Sequence, residues 1–137
     1  MNAGKSSTLL QANYNYHERG MRTRLFLPKM VHSNTEGYIA SRIGIKMPAT
    51  AFDHRFNFFE FIQNDTVMPN CLLIDEAQFM TQAQVKQVCR IADQLDIPIL
   101  AYGLRSDFQA QAFEGSQYLL VLADILIEIK TICFFFF

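Results

Sequence analysis

The chain has 137 residues, a length that favours a single domain. Half of the residues are hydrophobic and 18% are charged, which is typical of a globular protein and excludes a disordered one. The formal net charge of −1 lacks the basic signature of nucleic-acid-binding proteins, so we expect no nucleic acid among its partners.

The cysteines predict neither a disulfide framework nor a complete zinc site. They number three, Cys71, Cys89 and Cys133, and no two of them form a CxxC pair. Reduced thiols are typical of a cytoplasmic protein. The sequence has no signal-peptide pattern and no apolar run of about 18 residues, so we expect no membrane association.

The first third of the chain predicts a helix, a strand and a long loop. The helix covers residues 6–19 and ends at Gly20, a residue favoured just after a helix. A strand follows at 24–27. Residues 29–48 are polar and show no clear period, so we expect a loop with one short strand at 38–40.

An aromatic stretch follows the loop. Phe52, Phe56, Phe59 and Ile62 or Gln63 recur at spacings of three and four residues. This spacing predicts one helix that packs on the core through its aromatic face.

The next segment predicts a buried strand and a capped helix. Residues 71–74 form a continuous apolar run that ends in Asp75 and Glu76, as in a strand buried on both faces. Thr81 and Gln84 have the spacing of a capping box, and an apolar stripe continues from there to residue 95.

The last segment predicts a strand at 97–102, a loop at 103–115, a helix at 116–123 and a strand at 125–129. Strands that alternate with helices indicate an α/β fold with a mainly parallel sheet. The four phenylalanines at 134–137 fit none of these elements. They are packed, lie in an interface, or do not belong to the native sequence.

The start of the chain contains the second half of a phosphate-binding loop. Gly4 permits the backbone turn, Lys5 reaches the terminal phosphates, and the Ser6 hydroxyl binds Mg²⁺. An ordinary helix N-terminus is the alternative. The segment consists of Asn2, Ala3, Gly4, Lys5, Ser6 and Ser7.

The acids after the buried strand support a nucleotide site. Asp75 has the position of a Walker-B carboxylate, which holds Mg²⁺ opposite the phosphate loop. Glu76 follows it on the other side of the strand end, where it orients or deprotonates an attacking hydroxyl. The alternative for Glu76 is a helix-capping or solvated charge.

Ten stretches of the chain resemble the bacterial members of the type II thymidine kinases, in order and over nearly the whole length. They are MNAGKS (1–6), LLQ (9–11), YNY (14–16), ERGMR (18–22), SRIG (41–44), IDEAQF (74–79), DQLDIP (93–98), YGLRSDF (102–108), FEGSQYLL (113–120) and KTIC (130–133). Only residues 29–70 are weakly covered, and 134–137 depart from the family.

The resemblance implies transfer of the γ-phosphoryl group of ATP to the 5′-hydroxyl of thymidine, with deoxyuridine as a lesser substrate, for DNA precursor salvage. It implies a P-loop NTPase-like (RecA-like) fold, ATP as donor, Mg²⁺ as cofactor and assembly as a homotetramer. Glu76 becomes the general base, Ser6 and Asp75 the Mg²⁺ ligands, and residues 2–7 with Asp75 and Gln78 the ATP-binding set.

The resemblance also implies a nucleoside pocket, although core packing is the alternative for its aromatic members. Its expected residues are Met1, Phe79, Leu104 and Phe108. Arg42 approaches phosphate or a neighbouring subunit, or is a solvated surface residue. The histidines match no catalytic position and are expected at the surface: His17, His32 and His54.

The chain departs from the family at both ends. A family member has a first strand and the opening of the phosphate loop before Met1, and a C-terminal zinc and lasso subdomain after the sheet. Cys133 matches one zinc ligand of that subdomain, without its partners, so no zinc is expected. We expect a partial P-loop kinase domain at 1–133 and a phenylalanine tail at 134–137.

Two other functions remain open. One is an inactive fragment that binds nucleotide or self-associates without turnover. The other is a helicase-like ATPase, since DEAQ at 75–78 has the form of a helicase Walker-B box. The length of the chain and its lack of a basic face count against the second.

Overall fold

A computed structural model of the chain describes residues 3–34, 37–40, 46–104, 125–129 and 132–136. Helices run over Ala3–Glu18 (α1), Lys29–Asn34 (α2), Phe58–Gln63 (α3) and Gln82–Gln94 (α4). Strands run over Thr23–Pro28 (β1), Tyr38–Ala40 (β2), Lys46–Pro48 (β3), Thr50–Phe52 (β4), Cys71–Ile74 (β5), Ile99–Leu104 (β6), Ile125–Ile129 (β7) and Ile132–Phe136 (β8). A 3₁₀ turn, Ala77–Phe79, lies between β5 and α4.

The main sheet has six strands in the order β4–β1–β5–β6–β8–β7. The first four are parallel to one another, with β1 between β4 and β5. β8 is antiparallel to both β6 and β7. The parallel strands confirm the expected α/β fold, and the antiparallel pair at one side of the sheet was not predicted.

Side chains alternate between the two faces of the sheet along β5, and helices cover the apolar side chains on each face. Leu72 and Ile74 enter a core that they share with α3 and α4. Cys71 and Leu73 enter a second core with residues of α1. All four side chains of β5 are fully buried, which confirms the prediction of a strand covered on both faces.

The predicted capping box is present at the start of α4. The Thr81 hydroxyl accepts from the backbone N–H of Gln84, and the Gln84 Oε1 accepts from the backbone N–H of Thr81. Behind this cap the apolar stripe Val85, Val88 and Ile91 is buried in the core. Among the described residues, no helix combines the length and apolarity needed to cross a bilayer.

The prediction of a loop over 29–48 was wrong in part. The segment contains α2 and, beyond it, the antiparallel pair β2–β3, with Ile39 buried against the α1 core. Val31 and Met47 pack partly against the same core. These apolar contacts are isolated in a polar sequence, so they leave no periodic pattern.

The prediction of one aromatic helix through Phe52 and Ile62 was also wrong in part. Phe52 ends β4, and α3 begins only at Phe58, after the N-cap residue Asn57. The Phe58 ring lies 5.2 Å from Phe52 and 5.1 Å from Phe26, between ring centroids. The aromatic spacing therefore reflects side chains that meet in one core cluster from different elements.

The carboxyl-terminal phenylalanines take part in the sheet. Phe134, Phe135 and Phe136 belong to β8, and their backbone pairs with that of residues 100–102 in β6. β8 therefore continues past residue 133, the predicted end of the kinase domain. The domain boundary itself stays a prediction. The predicted helix at 116–123 and the loop after residue 104 lie outside the described residues.

Candidate active site

Asp75 lies at the carboxyl edge of the parallel sheet. Its backbone N–H donates to the carbonyl oxygen of Phe26 at 2.9 Å, so the β1–β5 ladder reaches this residue. Side chains alternate along a strand, so the side chain of Asp75 lies on the same face as that of Leu73, which is the α1 face of the sheet. Asp75 is only 4% exposed, which is rare for a carboxylate without a specific role.

The first turn of α1 lies at the same edge. α1 has 16 residues and joins the start of β1 through a turn at Gly20, whose φ of +73° suits glycine. α1 therefore runs back along the sheet for about 24 Å, slightly more than the length of β1. The backbone N–H groups at its start can bind phosphate there. Met1 and Asn2, and the side chains of residues 3–7, lie outside the described residues.

Glu76 follows in a left-handed conformation. The φ of Glu76 is +52°, so the strand ends before this residue. The position of the Glu76 carboxylate therefore depends on the turn and not on strand alternation. The backbone N–H of Glu76 donates to Asp75 Oδ1 at 2.9 Å. The Oε2 of Glu76 accepts a hydrogen bond from Nε2 of Gln78. The two acids thus lie in one hydrogen-bonded turn.

Gln78 is buried under this turn beside Gly103 of β6. Its side chain is 3% exposed. A Cβ at Gly103 would lie 2.7 Å from Gln78 Oε1 and 3.0 Å from the backbone nitrogen of Gln78. Only glycine therefore leaves room for the glutamine amide at this point of β6. The expected contact of Gln78 with ATP stays a prediction.

A cavity of about 420 Å³ opens at the ends of β1 and β4, beside Phe79 of the 3₁₀ turn, and has both apolar and polar lining residues. Phe79, 38% exposed, forms one wall, an exposure uncommon for a ring that serves only the core. The lining residues are Pro28, Lys29, Met30, Phe52, Asp53, His54 and Phe79. Sequence reasoning found Phe79 but missed the others, because they come together only through the ends of β1 and β4.

The remaining predicted pocket residues are not described in full. Leu104 ends β6, and its side chain lies outside the described residues. Met1, Phe108 and Arg42 lie outside the described residues, as does the side chain of His32. His54 is exposed, as expected, but it also lines the cavity.

A second cavity, of about 520 Å³, lies at the opposite edge of the sheet, near the start of β1. His17, exposed as expected, lines it, and its Nε2 lies 3.0 Å from the Thr23 hydroxyl. That hydroxyl donates to the buried side chain of Asn13, so it accepts from His17. The part of β1 that pairs with β5, residues 23–26, runs from this cavity toward Asp75.

A buried phenol lies near Asp75 on the α1 face. Burial raises the pKa of Tyr102, and the neighbouring Cys71, Tyr16 and Asp75 add to the rise. Tyr102 therefore stays neutral beside the carboxylate. Within the described part of the chain, no three His, Cys, Asp or Glu side chains group as ligands of a metal ion. Cys133 pairs with Gly103 through β8, and its side chain lies outside the described residues.

Comparisons with known proteins identify the family of the chain. A family model described as thymidine kinase matches residues 1–136. The chain is 52% identical over 136 residues to a thymidine kinase of Zymomonas mobilis, covering 98% of this chain and 70% of that protein. It is 51% identical over 135 residues to a thymidine kinase of Rhodopirellula baltica, covering 97% of this chain and 64% of that protein. A thymidine kinase of Coxiella burnetii is 52% identical over 136 residues, with 97% and 69% covered.

Proposed function

This chain belongs to the thymidine kinase family, and on that basis we propose that it transfers the γ-phosphoryl group of ATP to the 5′-hydroxyl of thymidine. Deoxyuridine is the secondary acceptor. The observation that carries the proposal is the position of Asp75 and Glu76 at the end of β5, at the edge where α1 begins. The chain spans 64% and 70% of two of the relatives it matches, so the activity of the whole protein is part of the proposal.

The start of α1 binds the phosphates of ATP. Backbone N–H groups of residues 3–7 supply donors, and the helix dipole favours the negative charge. Lys5 neutralises charge that develops on the transferred group. Asn2, Ala3, Gly4 and Ser7 complete the loop around the phosphates.

The Asp75 carboxylate and the Ser6 hydroxyl would hold Mg²⁺ in this proposal. Mg²⁺ is commonly held by one or two carboxylates together with substrate phosphates, so a single buried aspartate at this edge fits it. When bound, the ion neutralises charge on the transferred phosphoryl group. Zinc has no role in the proposal.

Glu76 accepts the proton of the attacking 5′-hydroxyl. Phosphoryl transfer depends mostly on positioning and charge stabilisation, so one well-placed carboxylate suffices as the base. The turn after β5 supports this role, because its left-handed backbone and the hydrogen bond from Gln78 restrain the Glu76 carboxylate.

The nucleoside binds in the cavity beside Phe79. The exposed ring offers a flat apolar surface for stacking the base, and the cavity volume of about 420 Å³ is within the range of small-molecule sites. Met1, Leu104 and Phe108 contribute from neighbouring segments in this proposal.

Production of ADP from ATP and Mg²⁺, with and without thymidine, tests the function. Turnover should depend on thymidine, and Glu76→Gln should lower kcat by about a hundredfold or more. Glu60→Gln, which changes an exposed glutamate of α3, is the matched control and should keep parental activity.

Three outcomes separate the hypotheses. A folded chain with no turnover contradicts the kinase function and supports a nucleotide-binding or self-associating fragment. ATP hydrolysis stimulated by nucleic acid and not by thymidine supports a helicase-like ATPase. A panel of other nucleosides shows whether thymine is preferred.

The proposal includes a homotetramer in the cytoplasm. The free thiols of Cys71 and Cys89 suit a reducing compartment. Size-exclusion chromatography with light scattering measures the molecular mass in solution. A mass that differs from that of four chains contradicts the tetramer.

A further inference from the structure

We infer that Gln78 is the positioning residue of the catalytic base: its side-chain amide holds the Glu76 carboxylate, and Gly103 leaves the space that the amide needs. The inference rests on the proposed role of Glu76. It assigns to Gln78 a part in proton transfer, through Glu76, beside the predicted contact of Gln78 with ATP.

The geometry of the turn carries the inference. Gln78 Nε2 donates to Glu76 Oε2 across two residues of one tight turn, and Gln78 is almost completely buried. A buried amide that donates to a carboxylate cannot rotate away without losing a charge-assisted hydrogen bond. Glu76, by contrast, is only partly buried, so packing alone encloses its side chain less than that of Gln78.

Gly103 of β6 lies against the side-chain amide of Gln78. The space that a Cβ would occupy is taken by Gln78 Oε1, at 2.7 Å, and by the backbone of the 3₁₀ turn. The backbone of β6 therefore limits where the Gln78 amide can lie, and the hydrogen bond from that amide orients the Glu76 carboxylate. A rigid second layer of this kind is what keeps a reacting group within the narrow limits that transfer chemistry requires.

Gln78→Met tests the role of the amide, because methionine keeps the length of the side chain and removes the donor. We expect kcat to fall about ten- to a hundredfold, with the KM for thymidine within about twofold of the parent. In the Glu76→Gln background the same change should cause no further loss, since there is no carboxylate to position.

Gln87→Met is the matched control. Gln87 is a partly buried glutamine whose Oε1 accepts from the backbone N–H of Phe58, away from the two acids. It should leave kcat unchanged. Gly103→Ala approaches the same amide from β6 and should lower kcat in the same way, without a large change in KM.

Two results overturn the inference while the parent stays an active kinase. One is a kcat of Gln78→Met within about twofold of the parent. The other is that Gln78→Met lowers kcat by the same factor in the parent and in the Glu76→Gln variant. If the parent chain shows no thymidine-dependent turnover, the proposed function fails instead, and a measurement without catalysis decides the inference.

That measurement is the side-chain amide signal of Gln78 in ¹H–¹⁵N spectra of the full chain. A hydrogen bond to Glu76 predicts a signal displaced from the unstructured position, which returns toward that position in Glu76→Ala. A Gln78 amide signal that does not respond to Glu76→Ala contradicts the inference.

Discussion

The backbone N–H of Asp75 donates to the carbonyl oxygen of Phe26 at 2.9 Å. Through this bond the carboxylate at the edge of the sheet depends on the position of β1. The Phe26 ring is fully buried, and its centroid lies 5.9 Å from that of Phe56 and 5.7 Å from that of Phe61. The aromatic core under β1 therefore helps to determine where the proposed metal ligand lies.

Asp75→Asn should remove most of the activity and keep the fold. The amide retains the size of the side chain and an oxygen that accepts from the backbone N–H of Glu76. It lacks the charge that binds Mg²⁺, so we expect kcat/KM to fall by about a hundredfold or more. Activity measured over a range of Mg²⁺ concentrations checks this, with circular dichroism as the control for folding. Parental activity at low Mg²⁺ would contradict the metal role of Asp75.

Phe79→Ala should weaken nucleoside binding with little effect on stability. The ring is 38% exposed in the cavity, so its loss removes a stacking surface more than it disturbs the core. We expect the KM for thymidine to rise about tenfold, equivalent to roughly 1.4 kcal/mol, with the KM for ATP unchanged. Met68→Ala, which shortens another exposed apolar side chain, should change neither constant. An unchanged KM for thymidine in Phe79→Ala would place the nucleoside elsewhere.

Thr81→Ala should destabilise the fold without changing the chemistry. It removes the hydroxyl that accepts from the N–H of Gln84 at the start of α4. Loss of such a cap costs about 1 kcal/mol of the free energy of unfolding. Urea denaturation measures the difference, and Thr66→Ala, at an exposed residue outside the helices, should leave the midpoint unchanged. A loss of kcat in the folded Thr81→Ala chain would not agree with a purely structural role.

Stability should fall in alkaline solution above pH 9. Burial raises the pKa of the Cys71 thiol from its ordinary 9.0 to about 11, an effect partly offset by a hydrogen bond with Tyr16. Between these two values the unfolded chain releases the proton that the native chain keeps, so the free energy of unfolding decreases as the pH rises. The decrease from this one group amounts to about 2 to 3 kcal/mol by pH 11.

Urea denaturation at pH 8, 9 and 10.5 measures this dependence. Burial also raises the pKa of Tyr16, to about 12, and that of Tyr102, so the phenols extend the decrease to higher pH. Cys71→Ala should make the dependence between pH 9 and 10.5 shallower. An equally steep decrease in that variant would assign the effect to other groups.

Local sequence patterns predicted β5, α4 and its capping box correctly, because each depends on neighbouring residues. The apolar run Cys71–Ile74 and the Thr81–Gln84 pair carry their own structural preferences. The same locality explains the errors. The spacing of Phe52 and Phe59 resembles one helix, but the two residues belong to β4 and α3 and share only a core cluster, which no short-range period records.

The sequence by itself determined the family, the α/β class with a mainly parallel sheet and the acids at the end of β5, since these follow from contiguous segments. Only the tertiary structure decided that Gln78 donates to Glu76 against Gly103, that His54 and Met30 share a cavity with Phe79, and that Phe134–Phe136 pair beside β6. The physical reason is that these relationships depend on chain crossings and on side-chain geometry. Segments distant in sequence come within contact only when the whole sheet has formed.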